Sequence, residues 1–258
     1  MSYKRPAFVE DLIPLILEAT EQWWTQDYLR LALVSPAWLF YVRRRLYAHP
    51  SIRSFESGSK LVRTFQENPD LLQLLSGIEL QPTTSSESRC IALAQHMASI
   101  YCLLALEGLK RVKLGGELTR HAERFLNSLA FADQVEELVV DGTLLQGAVM
   151  PAASLEWDES MFYRFHNLKT LKLINLDLDI FPSPPTPFVP ITRLILHSVE
   201  IVDGFLSQMV HGASLKLVDI AAKSPAEYDE QVRLVLEVCE VDELRYNLET
   251  PRRGDRPF

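Results

Sequence analysis

The chain has 258 residues, of which 47% are hydrophobic and 23% are charged, a composition typical of a globular protein and unlike that of a disordered chain. A chain of this length can bury a sizeable core, either as one domain or as a small module joined to a larger one. Its formal net charge of −8 argues against nucleic acid as a partner, because nucleic-acid-binding surfaces carry an excess of lysine and arginine.

The first apolar pattern is carried by Leu12, Leu15 and Ile16, which stand three and four residues apart and share one face of a helix. Pro14 is compatible with the first turn of such a helix, because the first four helical N–H groups have no acceptor within the helix. The pattern therefore predicts a helix that begins near residues 10–11.

A second apolar stripe runs from Leu29 to Trp38 and is interrupted by Pro36. Because proline disfavours helix in the residue before it, we expect one helix to end near Ser35 and another to run from Pro36 to about Tyr47. Three short helices in roughly 40 residues bury a small core, so the module is expected to rest on a partner or on the following domain.

The two halves of this segment resemble an F-box domain. Members of that family begin Leu-Pro-x-Glu-Ile-x-x-x-Ile-Leu, and the chain has Phe8-Val9-Glu10-Asp11-Leu12 followed by Ile16-Leu17. The second half of the family pattern is similar to Asp-Leu-Leu-Arg-x-x-x-Val-Cys-x-x-Trp, and the chain has Asp27-Tyr28-Leu29-Arg30, Val34-Ser35 and Trp38. The chain departs from the family at the opening Leu-Pro, which is Phe-Val here.

The resemblance covers residues 8–48 and looks closest to the divergent F-box-like domains that precede leucine-rich repeats in many fungal proteins. It implies that the helices present an apolar surface to a Skp-type adaptor protein of a cullin-based ubiquitin ligase. The residues that it implies for adaptor binding are Phe8, Val9, Leu12, Ile16, Leu17, Leu31, Val34 and Trp38.

Beyond residue 50 the chain repeats a hexad with apolar residues at positions 1, 4 and 6. Successive hexads begin 34, 26, 33, 23, 24 and 26 residues apart. Leucine-rich repeats are about 20–29 residues long with one strand at this hexad, so four intervals fit that repeat and two carry insertions. The hexads begin at Leu75, Leu109, Val135, Leu168, Ile191, Leu215 and Val241.

The end of each hexad alternates in character, which favours a strand over a helix. In a strand the side chains at positions 4 and 6 point to one face and the side chain at position 5 points to the other. Five of the seven residues at position 5 are charged, as expected of a face in contact with solvent. These residues are Glu79, Lys113, Val139, Lys172, Ile195, Asp219 and Arg245.

Helical patterns lie between the hexads, at residues 91–106, 118–131, 203–211 and 226–239. Strands that alternate with helices predict a parallel sheet with right-handed crossovers, and stacked repeats give a curved solenoid with an exposed concave sheet and helices on the convex side. The predicted fold class is therefore α/β. The predicted domains are an F-box-like helical module at 1–50, a leucine-rich-repeat-like solenoid at 51–250 and a polar tail at 251–258.

The sequence carries no recognisable catalytic motif. The six histidines share no metal-ligand spacing with each other or with the cysteines. A glycine-rich phosphate loop, a Gly-x-Ser-x-Gly turn and a paired-carboxylate motif are all missing from the sequence. We therefore expect a non-enzymatic protein with no metal and no cofactor.

The cysteines and the apolar stretches predict the compartment. Cys90, Cys102 and Cys239 are few and odd in number, a pattern that fits buried thiols in a reducing environment. The longest apolar stretch, from Ile91 to Leu109, contains polar residues and predicts a buried helix rather than a membrane span. We expect a cytoplasmic or nuclear protein that contacts no membrane.

These expectations combine into a substrate receptor of a cullin-based ubiquitin ligase, whose repeat domain holds an unidentified substrate protein. The alternative is a repeat scaffold whose N-terminal helices only cap the solenoid, and the exposure of their apolar face distinguishes the two. Charges of both signs are interleaved on the predicted concave face, which favours a specific protein ligand over a polyanion. The candidate residues there are Glu79, Arg111, Lys113, Glu137, Lys172, Arg193, Asp219 and Arg245.

Overall fold

The computed structural model is a mixed α/β fold and describes residues 10–19, 25–83, 91–145, 152–181, 190–222 and 225–248. Its α-helices are α1 (Leu12–Glu18), α2 (Thr25–Ala32), α3 (Pro36–Ala48), α4 (Phe55–Glu67), α5 (Ile91–Leu104), α6 (Ala122–Leu126), α7 (Glu159–Arg164), α8 (Leu206–Val210) and α9 (Pro225–Val238). Its strands are β1 (Ser51–Ile52), β2 (Gly77–Leu80), β3 (Arg111–Gly115), β4 (Glu137–Asp141), β5 (Ser154–Trp157), β6 (Thr170–Ile180), β7 (Arg193–Asp203), β8 (Ser214–Leu215), β9 (Leu217–Ala222), β10 (Glu240–Val241) and β11 (Leu244–Leu248).

Nine strands form one sheet in the order β1-β2-β3-β4-β6-β7-β9-β11, with β5 paired to β6, while β8 and β10 form a second, two-stranded sheet. Every strand pair between described residues is parallel. Positions 4 to 6 of all seven hexads lie within strands of the large sheet, so the predicted parallel sheet is confirmed.

The strands show the alternating burial that the hexads predict. In β3, Val112 and Leu114 are fully buried, whereas Lys113 between them is only half-buried. The side chains at positions 4 and 6 of the first six hexads are at most 2% exposed. The last hexad differs, since Leu244 is 40% exposed on β11, the final strand in the sheet order.

One face of the sheet carries the main hydrophobic core. Buried side chains of the helices, such as Phe65 of α4, Leu103 of α5 and Phe125 of α6, form one continuous cluster with the strand residues at hexad positions 4 and 6. Trp157 of β5 is fully buried there and lies against Phe165 with ring centroids 6.2 Å apart. Burial of this apolar surface is the main stabilising contribution to the sheet domain.

The first three helices enclose a separate, smaller core. Ile13 and Leu17 of α1 are buried against Trp38 and Val42 of α3, and these four form a cluster distinct from the main core. At the end of α3 the chain joins the main core, where Tyr47 packs against it. Helix α3 therefore links the two parts of the molecule.

The prolines act as the sequence predicts. Pro36 is the first residue of α3, and the hydroxyl of the N-cap residue Ser35 accepts a hydrogen bond from the Trp38 backbone N–H at 3.3 Å. This contact satisfies one of the helical N–H groups that lack an internal acceptor. Pro14 lies in the first turn of α1, where its missing N–H costs no helical hydrogen bond.

Two predicted helices are shorter than expected. In place of residues 118–131 the structure has α6, preceded by a 3-10 helix at Gly116–Thr119 and followed by another at Ala132–Gln134. Gly116 has a φ of +57°, and a Cβ on it would lie 2.3 Å from the Pro82 carbonyl oxygen, so close packing sets this turn. Similarly, α8 begins only after Gly204, whose φ is +83°. A positive φ at glycine therefore sets the turn that precedes each of these short helices.

Strands β6 and β7 are longer than the hexads predict, at 11 residues each. Asn175 and Ser198 have φ values of 51° and 50°, and each is skipped in the pairing between the two strands. Beyond this shared irregularity β6 also pairs with β5. None of the helices in the described ranges is both long and apolar enough to cross a membrane.

Candidate functional site

The N-terminal helices expose many apolar side chains although they also enclose a core. Leu33 is 88% exposed and Val34 is 64% exposed, immediately after α2. Large contiguous apolar patches on a protein surface mark sites of contact with other proteins or with membranes, and Leu33 and Val34 are adjacent in sequence. The large apolar residues exposed within the described part of this module are Leu12, Leu15, Leu29, Leu33, Val34, Leu39 and Phe40.

The residues that the F-box resemblance implies for adaptor binding fall into different environments. Leu12 and Val34 are exposed, whereas Leu17 and Trp38 are buried in the small core. Ile16 and Leu31 are half-buried and pack against that core. Phe8 and Val9 lie outside the described residues. Within the described set, Leu12 and Val34 thus offer contact surface, while Leu17 and Trp38 hold the module together.

A groove of about 490 Å³ separates α3 from the 3-10 helix Pro69–Leu74. Leu39, Phe40 and Leu74 contribute apolar walls, and charged side chains such as Arg44 stand among them. The groove was not predicted from the sequence, because its walls come from segments that are distant along the chain and meet only in the fold. It places Leu39 and Phe40 beside the junction of the two cores.

The second surface is the face of the large sheet opposite the helices, called here the outward face. It consists of the residues at hexad positions 3 and 5 and of those that follow position 6. All eight residues predicted to bind a substrate are at positions 3 or 5, so the structure brings them to one face. The position-5 residues are register neighbours in the order Glu79, Lys113, Val139, Lys172, Ile195, Asp219 and Arg245.

At the end of the outward face formed by β2, β3 and β4, ion pairs join charged side chains of neighbouring strands. Lys113 lies between Glu79 and Asp141, with its Nζ 2.8 Å from a Glu79 carboxylate oxygen and 3.7 Å from an Asp141 carboxylate oxygen. Arg111 Nη2 lies 2.7 Å from Glu137 Oε2 on the adjacent strand. Half-exposed pairs of this kind contribute about 0–1 kcal/mol each to stability, so their main effect is to fix the pattern of charge.

On the other side of the outward face the charges are more loosely arranged. His197 Nε2 lies 3.6 Å from Asp219 Oδ2 on the adjacent strand. The pKa of Arg245 is raised, chiefly by its hydrogen bond to Glu243, whose Oε1 lies 2.7 Å from Arg245 Nε. Arg245 therefore remains a fixed positive charge at the end of the sheet.

The thiols differ in environment. Cys239 is half-buried, and its Sγ donates a hydrogen bond to the Val210 carbonyl oxygen at 2.7 Å. Burial raises the pKa of the Cys239 thiol, which lowers the reactive thiolate fraction at neutral pH. Cys102 is exposed, so the expectation of buried thiols is wrong for that residue. Cys90 lies outside the described residues.

No cluster of three or more histidine, cysteine or acidic side chains placed to hold a metal ion occurs within the described ranges. Comparison of the chain with protein-family models, with curated proteins and with solved structures gives no match in any of the three. The apolar surface of the N-terminal helices and the charged outward face are therefore the two features from which a function is inferred.

Proposed function

We propose that this chain is the substrate-receptor subunit of a cullin-based ubiquitin ligase. Its N-terminal helices would form an F-box-like module that binds a Skp-type adaptor, and its sheet domain would form a leucine-rich-repeat-like solenoid that binds a substrate protein. The observation that carries the proposal is the apolar surface of α1, α2 and the residues directly after α2, which remains exposed while the module keeps a core of its own.

The exposed side chains supply part of the affinity that adaptor binding needs. Full burial of one leucine or valine side chain contributes about 1.5–3 kcal/mol. Leu12, Leu33 and Val34 are each at least 45% exposed, so each has apolar surface to bury in an interface. Their combined burial is of the order of several kcal/mol, a substantial part of the roughly 8 kcal/mol that corresponds to a micromolar dissociation constant.

The alternative, a scaffold whose N-terminal helices only cap the repeats, predicts that these side chains pack against the sheet domain. Instead, Leu33 and Val34 face solvent, and the link to the main core runs through the end of α3 at Tyr47. This arrangement favours the adaptor-binding proposal over the capping one.

The sheet supports the repeat assignment through its order and register. Seven hexads supply seven parallel strands, and residues at equal hexad positions are register neighbours throughout. A receptor of this kind performs no bond chemistry of its own. It raises the effective concentration of substrate lysines near the transferring enzyme, which belongs to another subunit.

A matched pair of variants tests the proposal. Val34→Asp and Val202→Asp change the same residue type at 64% and 60% exposure, one in the module and one at the end of β7. Isothermal titration of the full chain with a purified Skp-type adaptor should show micromolar or tighter binding. We expect Val34→Asp to weaken it about tenfold or more, because an aspartate cannot be buried against an apolar partner without a large desolvation cost.

The Val202→Asp variant should bind the adaptor like the unaltered chain, and both variants should keep its thermal melting profile. A folded chain that shows no binding at micromolar adaptor would overturn the proposal. Equal affinity of the two variants would instead show that binding, where present, does not use the exposed surface of the N-terminal module.

A further inference from the structure

The outward face is charge-paired at one end and unpaired in its middle. Arg111 has Glu137 as its register neighbour and forms an ion pair with it, and Lys113 does the same with Glu79. The register neighbours of Lys172 are different, because Val139 of β4 and Ile195 of β7 stand on its two sides. No carboxylate therefore lies directly beside this lysine in the sheet.

Arg193, on the neighbouring strand β7, likewise has no acidic residue as a register neighbour. Its register neighbours are Thr170 of β6 and Leu217 of β9. Arg193 stands opposite Thr170, two residues before Lys172 on β6, so strand spacing places the two Cα atoms about 8 Å apart. Among the described residues, neither of the two side chains has an ion pair or a side-chain hydrogen bond to another.

The floor around these two cations is apolar. Val139 and Leu217 are each only 8% exposed, yet neither belongs to the main core cluster, because both point to the outward face. Ile174 and Ile195 are half-buried on the same face. Low-polarity surroundings strengthen a Coulombic contact, so an anion bound to these cations gains more beside apolar side chains than among polar ones.

We propose that this central patch, formed by Lys172, Arg193, Val139, Ile195 and Leu217, binds an acidic segment of a partner protein. Carboxylates of the segment would bind the ammonium and the guanidinium, and an adjacent apolar side chain would pack on the floor. The patch would thereby select substrates that carry glutamate or aspartate next to apolar residues. This specificity rests on the proposed role of the outward face in substrate binding.

Charge complementarity favours carboxylates over denser anions. Glu137 and Asp141 on β4 and Asp219 on β9 flank the two cations and repel a phosphate dianion more strongly than a single carboxylate. The net charge of −8 likewise opposes a long polyanion. The planar guanidinium of Arg193 has the geometry to bind one carboxylate with two parallel hydrogen bonds.

Selection from a phage library of random linear peptides tests the patch without the adaptor. We expect the unaltered full chain to enrich peptides in which glutamate or aspartate adjoins apolar residues. The Lys172→Gln/Arg193→Gln variant should lose this enrichment. The matched control, Lys60→Gln/Arg63→Gln, removes the same two charges from exposed positions on α4 and should keep it.

Fluorescence anisotropy of the most enriched peptide then measures the effect. Each charge-assisted hydrogen bond contributes about a tenfold factor, so loss of both cations should weaken binding by roughly tenfold to a hundredfold. Enrichment of peptides without acidic residues would overturn the proposal, and so would equal affinity of the peptide for both double variants. Tighter binding of a phosphoserine-containing peptide than of its glutamate counterpart would overturn it as well.

Adaptor titration of the same variants separates this inference from the proposed ligase role. The Lys172→Gln/Arg193→Gln variant should bind a Skp-type adaptor with unchanged affinity, because the two substituted residues lie on β6 and β7 of the sheet, whereas the proposed adaptor surface lies on α1, α2 and the residues directly after α2. If acidic peptides are enriched but the adaptor does not bind, the proposal for the patch stands and the ligase role is rejected. If the adaptor binds but acidic peptides are not enriched, only the proposal for the patch is rejected.

Discussion

The separation of the two hydrophobic cores predicts that a single substitution can unfold the N-terminal module and leave the sheet domain intact. Ile13 is fully buried in the small core, whose other buried members are Leu17, Trp38 and Val42. Truncation of a buried isoleucine to alanine costs about 2–5 kcal/mol, from lost transfer free energy and the cavity left behind. A core in so small a module rarely supplies more than about 3–5 kcal/mol, so Ile13→Ala removes most of its stability.

Native-state hydrogen exchange followed by mass spectrometry measures this effect segment by segment. A loss of 2–5 kcal/mol raises the exchange rate of protected amides in α1 and α3 by roughly 30-fold to roughly 4,000-fold. The central strands β4 and β6 should exchange as in the unaltered chain, because none of their side chains contacts the small core cluster.

Leu15→Ala is the control on the same helix. Leu15 is exposed, so its truncation should change stability by no more than about 0.5 kcal/mol. If Ile13→Ala accelerated exchange equally in α1 and in β4, the two cores would unfold as one cooperative unit. The coupling would then run through α3, whose residue Tyr47 packs against the main core.

Two further predictions concern the sheet domain. Gly142→Ala should lower the free energy of unfolding by about 1–3 kcal/mol in thermal melts, because the added Cβ would lie 2.1 Å from the Asn175 carbonyl oxygen. The control is Gly58→Ala on α4, where the added Cβ would meet only side-chain atoms at 3.3 Å or more. It should change the free energy of unfolding by less than about 1 kcal/mol. Iodoacetamide should modify the exposed Cys102 faster than the half-buried Cys239 near pH 8. The modification rate of Cys239 should keep rising at higher pH, because burial raises the pKa of its thiol. Equal modification rates of the two cysteines in peptide mass spectra would contradict this prediction.

The strands could be predicted from the sequence because their signal is local. A strand needs only an alternation of apolar and polar residues, and each hexad contains that alternation within six positions. Leu171 and Leu173 are buried and Lys172 between them is not, as the pattern requires. Repetition of the same hexad then predicts the parallel order, because equal units stack in sequence.

The apolar floor of the outward face could not be predicted from composition alone. Val139 and Ile195 were the two uncharged residues at position 5 of the hexads, and a single apolar residue on a polar face is unremarkable in sequence. Register makes them significant, because β4, β6 and β7 align so that Lys172 stands between them. The order of the hexads implies this neighbourhood once the strands stack in parallel, whereas the burial of Val139 and Leu217 to 8% exposure depends on side chains of adjacent strands and is not encoded in the periodicity.

The residues of the F-box resemblance show why a motif and a binding surface are different things. Leu17 and Trp38 fit the family pattern and are buried, so a match at these positions reflects the requirement to build a three-helix core. Leu33 lies outside the residues that carried the resemblance and is the most exposed large apolar side chain described in the chain. The proposed adaptor surface would therefore combine exposed residues of the pattern, such as Val34, with Leu33, which the pattern leaves free to vary. Because Leu33→Asp leaves the small core untouched, it separates recognition from folding more cleanly than any change at Leu17 or Trp38.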